Sequence, residues 1–407
     1  MELSRKQLPI IYSCVFLNAL GYTMIVMLIF KLIENPNYGF VSSAQLLHRG
    51  IYFSAVALGW GSLGAMIGGW ITGPVADFLG RKLALLYCTA LTTISFLVMA
   101  YAVIDHNILL LLIGNAINGL ASNNQPVTQA FIADIKWPTP RECSVRMSYD
   151  TLARVLAMIA GPLMGQLLSR QAWGFNLSTP FVVSAVFAAA TILLVWFFIP
   201  KDYDQHLARI KPKKLSANTG TLKPLTLVAL LCISFLVQFA NAQFVQYLYP
   251  FLGHLHFSWN ERVIFGSLGG VFVAIGLWIL YPMLSKKISL TGIIAISLFG
   301  LTLAMFAMIT HNRTILWLGN ILWSIGVACY FPPLLAKLAM INENFKGTIF
   351  CVNLSFIGFA WYLSGFTSVY LGKLNTFYPL YACLMVTAVA LIVAGSMWIR
   401  QRLVTAI

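Results

Sequence analysis

The chain has 407 residues, of which 59% are hydrophobic and only 9% are charged, and its formal net charge is +15. Ordinary soluble domains carry about 25% charged residues, so this composition excludes a soluble globular protein and predicts a polytopic membrane protein. The cations are spread among short loops instead of forming one basic face, so we expect no nucleic-acid partner.

Twelve apolar stretches reach the length of about 20 residues that crosses a hydrocarbon core about 30 Å thick. The predicted spans are 8–33, 51–76, 83–104, 108–134, 146–168, 180–200, 225–253, 261–284, 288–310, 314–341, 347–372 and 377–399. The first stretch is too long for a cleavable signal peptide and has no small-residue cleavage site, so we predict that it is the first span.

The distribution of Lys and Arg predicts the orientation of these spans. Of the 26 cations, 19 lie at the termini and in even-numbered loops, and 6 lie in odd-numbered loops. The positive-inside rule therefore predicts that both termini are cytoplasmic, and we expect an integral protein of the bacterial inner membrane. The seven cysteines are scattered without a Cys-x-x-Cys pair, so we expect neither a disulfide nor a metal site.

The turn between the second and third spans carries the most informative motif, residues 73–82, which read Gly-Pro-Val-Ala-Asp-Phe-Leu-Gly-Arg-Lys. It resembles the loop signature of the major facilitator superfamily, Gly-x-x-x-Asp-Arg-x-Gly-Arg-Arg/Lys, with Phe78 in place of the first cation. The resemblance implies an all-α membrane protein with twelve transmembrane helices in two pseudo-symmetric six-helix bundles. It also implies a gating role for Gly73, Asp77, Gly80, Arg81 and Lys82.

Asp134, at the cytoplasmic end of the fourth span, is expected to lie near Arg81 in such a fold. Asp77 would then face the amino end of the eleventh span, after Lys346 and Gly347. An ion pair and a helix dipole would together form a latch that closes the cytoplasmic side. The alternative is that these charges only anchor helix ends at the interface.

The fifth span contains Gly161, Pro162 and Gly165, which resemble the Gly-Pro-x-x-Gly core of the drug/proton antiporters, including tetracycline-efflux proteins. Small residues allow close helix packing and proline bends a helix, which suits a gating interface, although a simple packing kink is the alternative. Arg154 in the same span either pairs with Asp150 one turn earlier or binds an anionic group of the substrate.

The interval 201–223 is rich in charge and has no apolar stripe, so the predicted organisation is an N-terminal bundle at 1–200, a cytoplasmic linker at 201–224 and a C-terminal bundle at 225–407. Weak internal similarity supports this division, since Gly114-Asn115 in the fourth span recurs as Gly319-Asn320 in the tenth. Parallel repeats of six helices are a known transporter architecture.

Neutral amides are concentrated in the spans that line the central cavity in this superfamily. Amides are costly against lipid, so they either surround a wet substrate cavity or join helices by hydrogen bonds. In the fourth span they recur at helical spacing on one face, together with Ser122 and Gln129. The predicted substrate-binding residues are Asn18, Tyr22, Asn115, Asn118, Ser122, Gln125, Arg154, Gln238, Asn241, Gln246 and Asn353.

These features predict a secondary transporter that moves a small organic solute by alternating access, coupled to protons and similar to drug-efflux carriers. Asn115 and Asn18 stand where that group has an arginine and an aspartate, so the alternative is an uptake carrier for an amino acid, nucleoside or polycarboxylate metal chelate. The sequence has no His cluster, Ser/His/Asp set or phosphate-binding loop, so we expect no enzyme. We expect no cofactor beyond a coupling proton, and as partners a small-molecule substrate and the lipid bilayer around a monomer.

Overall fold

The computed structural model describes residues 7–34, 40, 43–135, 137–169, 174–199, 222–310, 312–342 and 345–406. Nearly all of the linker predicted at 201–224 lies outside the described residues, so the predicted domain boundaries stay predictions. Within the described ranges the chain is almost entirely helical and contains no strand.

All twelve predicted spans are helical. The helices are α1 (Leu8–Glu34), α2 (Ser43–Phe78), α3 (Arg81–Ile104), α4 (Ile108–Ala121), α5 (Asn124–Asp134), α6 (Pro140–Leu168), α7 (Thr179–Phe198), α8 (Leu222–His254), α9 (Trp259–Ile275), α10 (Tyr281–Lys287), α11 (Leu290–Met308), α12 (Arg313–Ala339), α13 (Lys346–Leu374) and α14 (Tyr378–Ala406). Among the described residues, ten helical segments are each long and apolar enough to cross a membrane. The two other predicted spans are α2, which is rich in weakly apolar glycine, and the α4–α5 pair.

The fourth span was predicted as one helix, and the structure divides it at Ser122 and Asn123. Ser122 N still donates to the carbonyls of Asn118 and Gly119, at 2.9 and 3.0 Å, so the chain turns without unwinding. The break lies one turn before Pro126, whose ring nitrogen has no hydrogen to donate to the Ser122 carbonyl. The polar face predicted along this span is therefore shared by two short helices.

Contacts divide the chain into two compact units. The first unit comprises Met1–Ile135, Ala153–Pro212 and Asn344–Tyr362. The second unit comprises Lys136–Leu152, Lys213–Glu343 and Leu363–Ile407. Helices α6 and α13 therefore each contribute residues to both units.

Helix packing follows the same plan in both units. In the first unit α2 packs on α4, α3 packs on α4 and α7, and α1 packs on α7. In the second unit α9 packs on α12, α11 packs on α12 and α14, and α8 packs on α14. Each pair in the second unit is the first-unit pair shifted by six spans. This correspondence confirms the predicted fold class, two pseudo-symmetric bundles.

Both units bury apolar side chains inside and also expose large ones outside. In the first unit Met24, Phe96 and Phe181 are fully buried where α1, α3 and α7 meet. Phe197 and Ile392 are 72% and 70% exposed. Helices that are apolar on all sides are expected where the outer face contacts lipid.

Candidate functional site

The turn between α2 and α3 brings an acid and a cation together. Gly80 has φ 102°, a left-handed conformation that residues with a Cβ rarely adopt. Arg81 Nη1 donates to Asp77 Oδ1 at 2.6 Å, and both side chains are only 2% exposed. A buried ion pair needs further hydrogen bonds to offset its lost hydration. Both residues have such bonds.

Asp77 binds the first turn of α13. Its Oδ1 accepts from Gly347 N at 2.9 Å, and its Oδ2 accepts from Thr348 N at 2.7 Å and from Thr348 Oγ1 at 2.6 Å. The first amides of a helix lack partners within the helix and lie at the positive end of its dipole. Asp77 therefore caps a helix that begins 269 residues later in the chain.

Asp134 completes the group from the end of α5. It accepts from Arg81 Nε at 3.0 Å and lies 3.3 Å from Lys346 Nζ, which also donates to the Ala133 carbonyl at 2.8 Å. Asp77, Arg81, Asp134 and Lys346 are called the latch cluster below; it holds two acids and two cations and has no net charge. The contacts predicted for Asp77 and Arg81 are thus present, and their gating role stays a prediction.

Glycine is required where α2 and α13 approach the latch cluster. A Cβ at Gly347 would overlap with Arg81 Nη1 and would lie 2.7 Å from Asp77 Oδ1. A Cβ at Gly73 would lie 2.9 Å from Thr348 Cα. Real Cβ atoms essentially never come that close to other atoms, so a larger residue at either position would push the two helices apart.

Lys82 binds a different helix. Its Nζ donates to the Trp196 carbonyl at 2.9 Å and to the Ile199 carbonyl, and it lies 5.8 Å from the centre of the Trp196 ring. These carbonyls lie at the end of α7, where a cation is favourable because the last carbonyls lack helical partners. Lys82 therefore joins α3 to α7 within the first unit.

The motif in α6 packs closely on α1. A Cβ at Gly161 would overlap with Thr23 Oγ1, and one at Gly165 would overlap with the Met24 carbonyl. Thr23 Oγ1 also donates to the Ala157 carbonyl at 2.9 Å. Pro162 lies inside α6 and contributes no amide hydrogen to that helix. The helices thus meet through their backbones, as expected for a small-residue interface.

Several buried amides of the first unit have an atom without a hydrogen-bond partner among the described residues. Four of these atoms are Asn18 Oδ1, Asn118 Nδ2, Gln129 Nε2 and Asn353 Oδ1. A buried polar group without a partner costs about 1 to 3 kcal/mol, so these atoms are candidates for hydrogen bonds to water or to a solute. Three of these residues, all but Gln129, were predicted as substrate-binding.

Three other predicted residues of the first unit, Tyr22, Ser122 and Gln125, are partly buried. Ser122 Oγ donates to the Gly119 carbonyl at 2.7 Å, so its hydroxyl is used within the turn that ends α4. Among the described residues the side chains of Tyr22 and Gln125 have no hydrogen-bond partner, and their role in substrate binding stays a prediction.

Asn115 packs against α2. A Cβ at Gly61 of α2 would lie 3.2 Å from the amide nitrogen of Asn115, so the Asn115 side chain lies between α2 and α4 where these helices pack closely. The second unit repeats the arrangement, because Asn320 Nδ2 donates to the Phe265 carbonyl at 2.7 Å, and a Cβ at Gly269 would lie 3.3 Å from Asn320 Oδ1. The equivalent asparagines are thus packed between equivalent helices.

Two of the amides predicted in α8 have partners within the second unit. Gln238 Nε2 donates to Tyr330 Oη at 2.6 Å, and Gln246 Oε1 accepts from Ser364 Oγ at 3.4 Å. Asn241, between them, is partly buried. These hydrogen bonds join α8 to α12 and α13, so in the second unit amides connect helices.

Arg154 and Asp150 lie deeper in α6 than the sequence predicted. The helix begins at Pro140, six residues before the predicted start, so Arg154 is the fifteenth of its 29 residues. Asp150 is fully buried, about 15 Å from the start of the helix at 1.5 Å per residue. Asp150, which the sequence indicated only as a partner for Arg154, is therefore a buried carboxylate inside the helix. The earlier start of the helix is marked by the capping pattern of Thr139 and Glu142, since the Glu142 amide donates to Thr139 Oγ1 at 3.3 Å.

Sequence reasoning also missed Thr348 and the Lys346 contact with Asp134. Both follow from the same signal, a Lys-Gly-Thr sequence at the start of an apolar span, which was interpreted only as a helix start. Among the described residues, no group of three or more His, Cys, Asp or Glu side chains is placed to hold a metal ion.

Comparison with known proteins identifies sequence relatives. A family model described as the Major Facilitator Superfamily matches residues 11–361. The chain is 25% identical over 271 residues to the class C tetracycline resistance protein of Escherichia coli, covering 65% of this chain and 63% of that protein. It is 25% identical over 225 residues to the class D tetracycline resistance protein of Salmonella ordonez, covering 55% and 53%. The matches thus span less than two thirds of these relatives.

Solved structures of the same fold cover nearly the whole chain. The human organic anion transporter MFSD10 (TETRAN) matches with a TM-score of 0.80 at 17% identity, covering 97% of this chain and 100% of that one. The proton:xylose symporter XylE matches with a TM-score of 0.75 at 16% identity, covering 97% and 95%. FucP matches with a TM-score of 0.70 at 14% identity, covering 95% and 97%. At these identities the likeness shows the fold.

Proposed function

The chain belongs to the major facilitator superfamily, and we propose that it exports a small organic solute by alternating access in exchange for protons. Members of this family are transporters and not enzymes, bind small-molecule substrates and lie in a lipid bilayer. The cytoplasmic position of both termini, the bacterial inner membrane and a monomeric state are parts of the same proposal.

The latch cluster is the observation that carries this proposal. Asp77 receives three hydrogen bonds from the first turn of α13, and each bond to a charged group contributes about 1.5 to 3 kcal/mol. In a carrier, the contacts that close one side must be strong enough to favour the closed state and weak enough to break when substrate binds, and hydrogen bonds of this free energy meet both conditions. In our proposal the bonds of Asp77 break whenever the cytoplasmic side opens.

Export is favoured over uptake by the sequence relatives and by α6. Both tetracycline resistance proteins are named for resistance, and the similarity covers more than half of this chain. Gly161 and Gly165 place the backbone of α6 directly against α1, a smooth interface along which two helices can slide. A lipophilic organic solute of the size of an antibiotic is the substrate class we propose.

Asp150 is the group we propose for proton coupling. Its carboxylate is fully buried and lies within the predicted fifth span, about 15 Å from the start of α6, and an ionisable residue inside a span is a functional hypothesis by default. Arg154 follows it by one helical turn. Protonation of the carboxylate would change the charge that this part of α6 carries, and substrate movement could thereby be linked to a proton gradient.

Uptake of an anionic solute is the second candidate, and it is favoured by Arg154. A cation at the fifteenth of 29 helical residues costs at least about 2.5 kcal/mol in a membrane span and suits a carboxylate ligand. The unsatisfied amides of Asn18, Asn118 and Asn353 would bind the remaining polar groups of a nutrient such as an amino acid, nucleoside or metal chelate.

The two candidates are separated by transport in membrane vesicles of opposite orientation. For export we expect tetracycline or a similar drug to accumulate in inverted vesicles when their interior is acidified. Asp150→Asn should abolish this gradient-driven accumulation and retain exchange of labelled for unlabelled drug, because exchange needs no net proton movement. Accumulation of an anionic nutrient in right-side-out vesicles, with no drug movement, would refute export, and gradient-driven accumulation by the Asp150→Asn variant would refute the coupling role.

A further inference from the structure

The second unit contains a cavity of about 600 Å³ at the end that the charge distribution predicts to be cytoplasmic. It lies where α6 and α11 begin and α12 ends. Its polar lining consists of Arg141, Lys337 and the hydroxyl residues Thr139, Thr226, Ser289 and Thr291. Among the described residues the lining contains two cations and no acid, so the described part of the cavity is positively charged.

Lys337 contributes one of these two charges. Its side chain is partly buried, and the described residues provide it with neither an ion pair nor a hydrogen bond. Arg141 is exposed and, among the described residues, donates to the Lys286 carbonyl alone, at 3.3 Å, which leaves most of its donors for a ligand. Two cations beside the same cavity repel each other unless an anion lies between them.

Pseudo-symmetry shows what is missing from this cavity. In the first unit, the turn after α2 supplies Asp77 to the first turn of α13. In the second unit, the equivalent turn after α10 has no acid, and the helix that begins beside it is α6, with Arg141 in its first turn. The second unit thus repeats the helix start and the cations of the latch cluster, but its turn supplies no carboxylate. The acid in the first turn of α6, Glu142, is not among the described residues that line the cavity.

We propose that the phosphate of an anionic phospholipid of the cytoplasmic leaflet binds in this cavity and takes the place that Asp77 occupies in the first unit. Phosphate oxygens accept from Lys337, Arg141 and hydroxyl groups, as such anions do at helix starts and basic pockets of membrane proteins. The apolar lining residues Leu290, Met340 and Ile341 suit the glycerol and upper acyl carbons. The lipid would join the starts of α6 and α11 to the end of α12.

Binding can be measured by the thermal unfolding of the full-length protein in detergent. We expect added phosphatidylglycerol to raise the unfolding temperature of the wild type, and phosphatidylcholine with the same acyl chains to have no effect. Lys337→Gln and Arg141→Gln should each weaken the apparent affinity for phosphatidylglycerol by about tenfold or more, since each removes a hydrogen bond from a charged group. Lys337→Arg should retain it.

Lys287→Gln is the matched control, because Lys287 is an exposed cation at the end of α10 that does not line the cavity. It should respond to phosphatidylglycerol as the wild type does. If phosphatidylglycerol raises the unfolding temperature of Lys337→Gln as much as that of the wild type, the proposal is overturned. It is also overturned if Lys337→Gln loses the same stability in every lipid, since Lys337 would then stabilise only the end of α12. Stabilisation by inorganic phosphate at matched ionic strength, with none by the lipid, would assign the cavity to a soluble anion and refute the lipid.

Discussion

Replacement of Asp77 by asparagine tests the latch cluster most directly. The carboxylate accepts four hydrogen bonds, from Arg81, from Gly347 N and two from Thr348. An amide of the same shape retains one oxygen and presents an NH₂ group to donors at the other position. The variant therefore loses the ion pair with Arg81 and at least one bond to the amides of α13.

The magnitude follows from those losses. A hydrogen bond to a charged group contributes about 1.5 to 3 kcal/mol, and about 1.4 kcal/mol is a factor of ten in an equilibrium constant. Asp77→Asn should therefore shift the equilibrium by about tenfold to a hundredfold toward the state in which α13 has left α2. Arg81 keeps its bond to Asp134, so the turn itself should stay folded.

Cys351 is a native reporter of this separation. It is fully buried one turn after Thr348, and a Cβ at Gly73 would lie 3.2 Å from its Cβ. With the other six cysteines changed to serine, Asp77→Asn should raise the rate of maleimide labelling of Cys351 by about tenfold or more. Substrate transport should fall in parallel, because one state is no longer held.

The control for this prediction is Asp105→Asn. Asp105 is an exposed acid at the opposite end of α3, so its replacement removes the same charge without touching α13. Labelling of Cys351 and transport should then match the wild type. If Asp77→Asn also labels and transports at wild-type rates, the contacts of Asp77 do not hold the helices together and the latch interpretation is wrong.

Two further predictions concern the close packing of neighbouring helices. Gly347→Ala should reproduce the labelling and transport defects of Asp77→Asn with no change in charge, because the added Cβ overlaps with Arg81. The control is Gly395→Ala, whose added Cβ meets nothing within 4 Å and which should behave as the wild type. A Gly347→Ala protein that labels and transports as the wild type does would contradict the close approach. Asn115→Leu and Asn320→Leu should each lower the thermal unfolding temperature, because each amide packs against a glycine of the neighbouring helix. If the Asn115→Leu protein is as stable as the wild type and has lost only substrate binding, Asn115 belongs to the substrate site instead.

The helices could be predicted from the sequence because apolar length alone decides whether a segment crosses a bilayer. The start of α6 was misplaced because Arg141, Glu142 and Arg146 lower the local hydropathy, although the Thr139 capping pattern marks it. The break after α4 was missed because the spacing of its polar residues continues through Ser122. A hydropathy pattern reports neither a cap nor the hydrogen that Pro126 lacks.

The latch contacts could be predicted only by resemblance, and the state of each amide could not be predicted. The contact from Asp77 to Thr348 joins residues 271 apart in the chain, so no local pattern reports it. Gln238 and Asn118 read alike in the sequence, yet Gln238 binds Tyr330 while Asn118 keeps a buried donor without a partner among the described residues. Which amide is available to a solute depends on tertiary neighbours.

The two units have the same architecture, but they differ in charge where the turn after α2 contacts the start of α13 and where the equivalent turn after α10 contacts the start of α6. In the first unit the turn after α2 binds α13 through the buried carboxylate of Asp77. In the second unit the equivalent turn binds α6 through the exposed contact from Arg141 to the Lys286 carbonyl and through the hydroxyls of Ser144 and Tyr281. Bonds between neutral groups, or to an exposed cation, are weaker than bonds to a buried carboxylate. As long as no anion fills the basic cavity beside Arg141, the strongest contacts that resist opening therefore lie in the first unit. A substitution at Asp77 should then impair transport more than any single substitution at Ser144 or Tyr281.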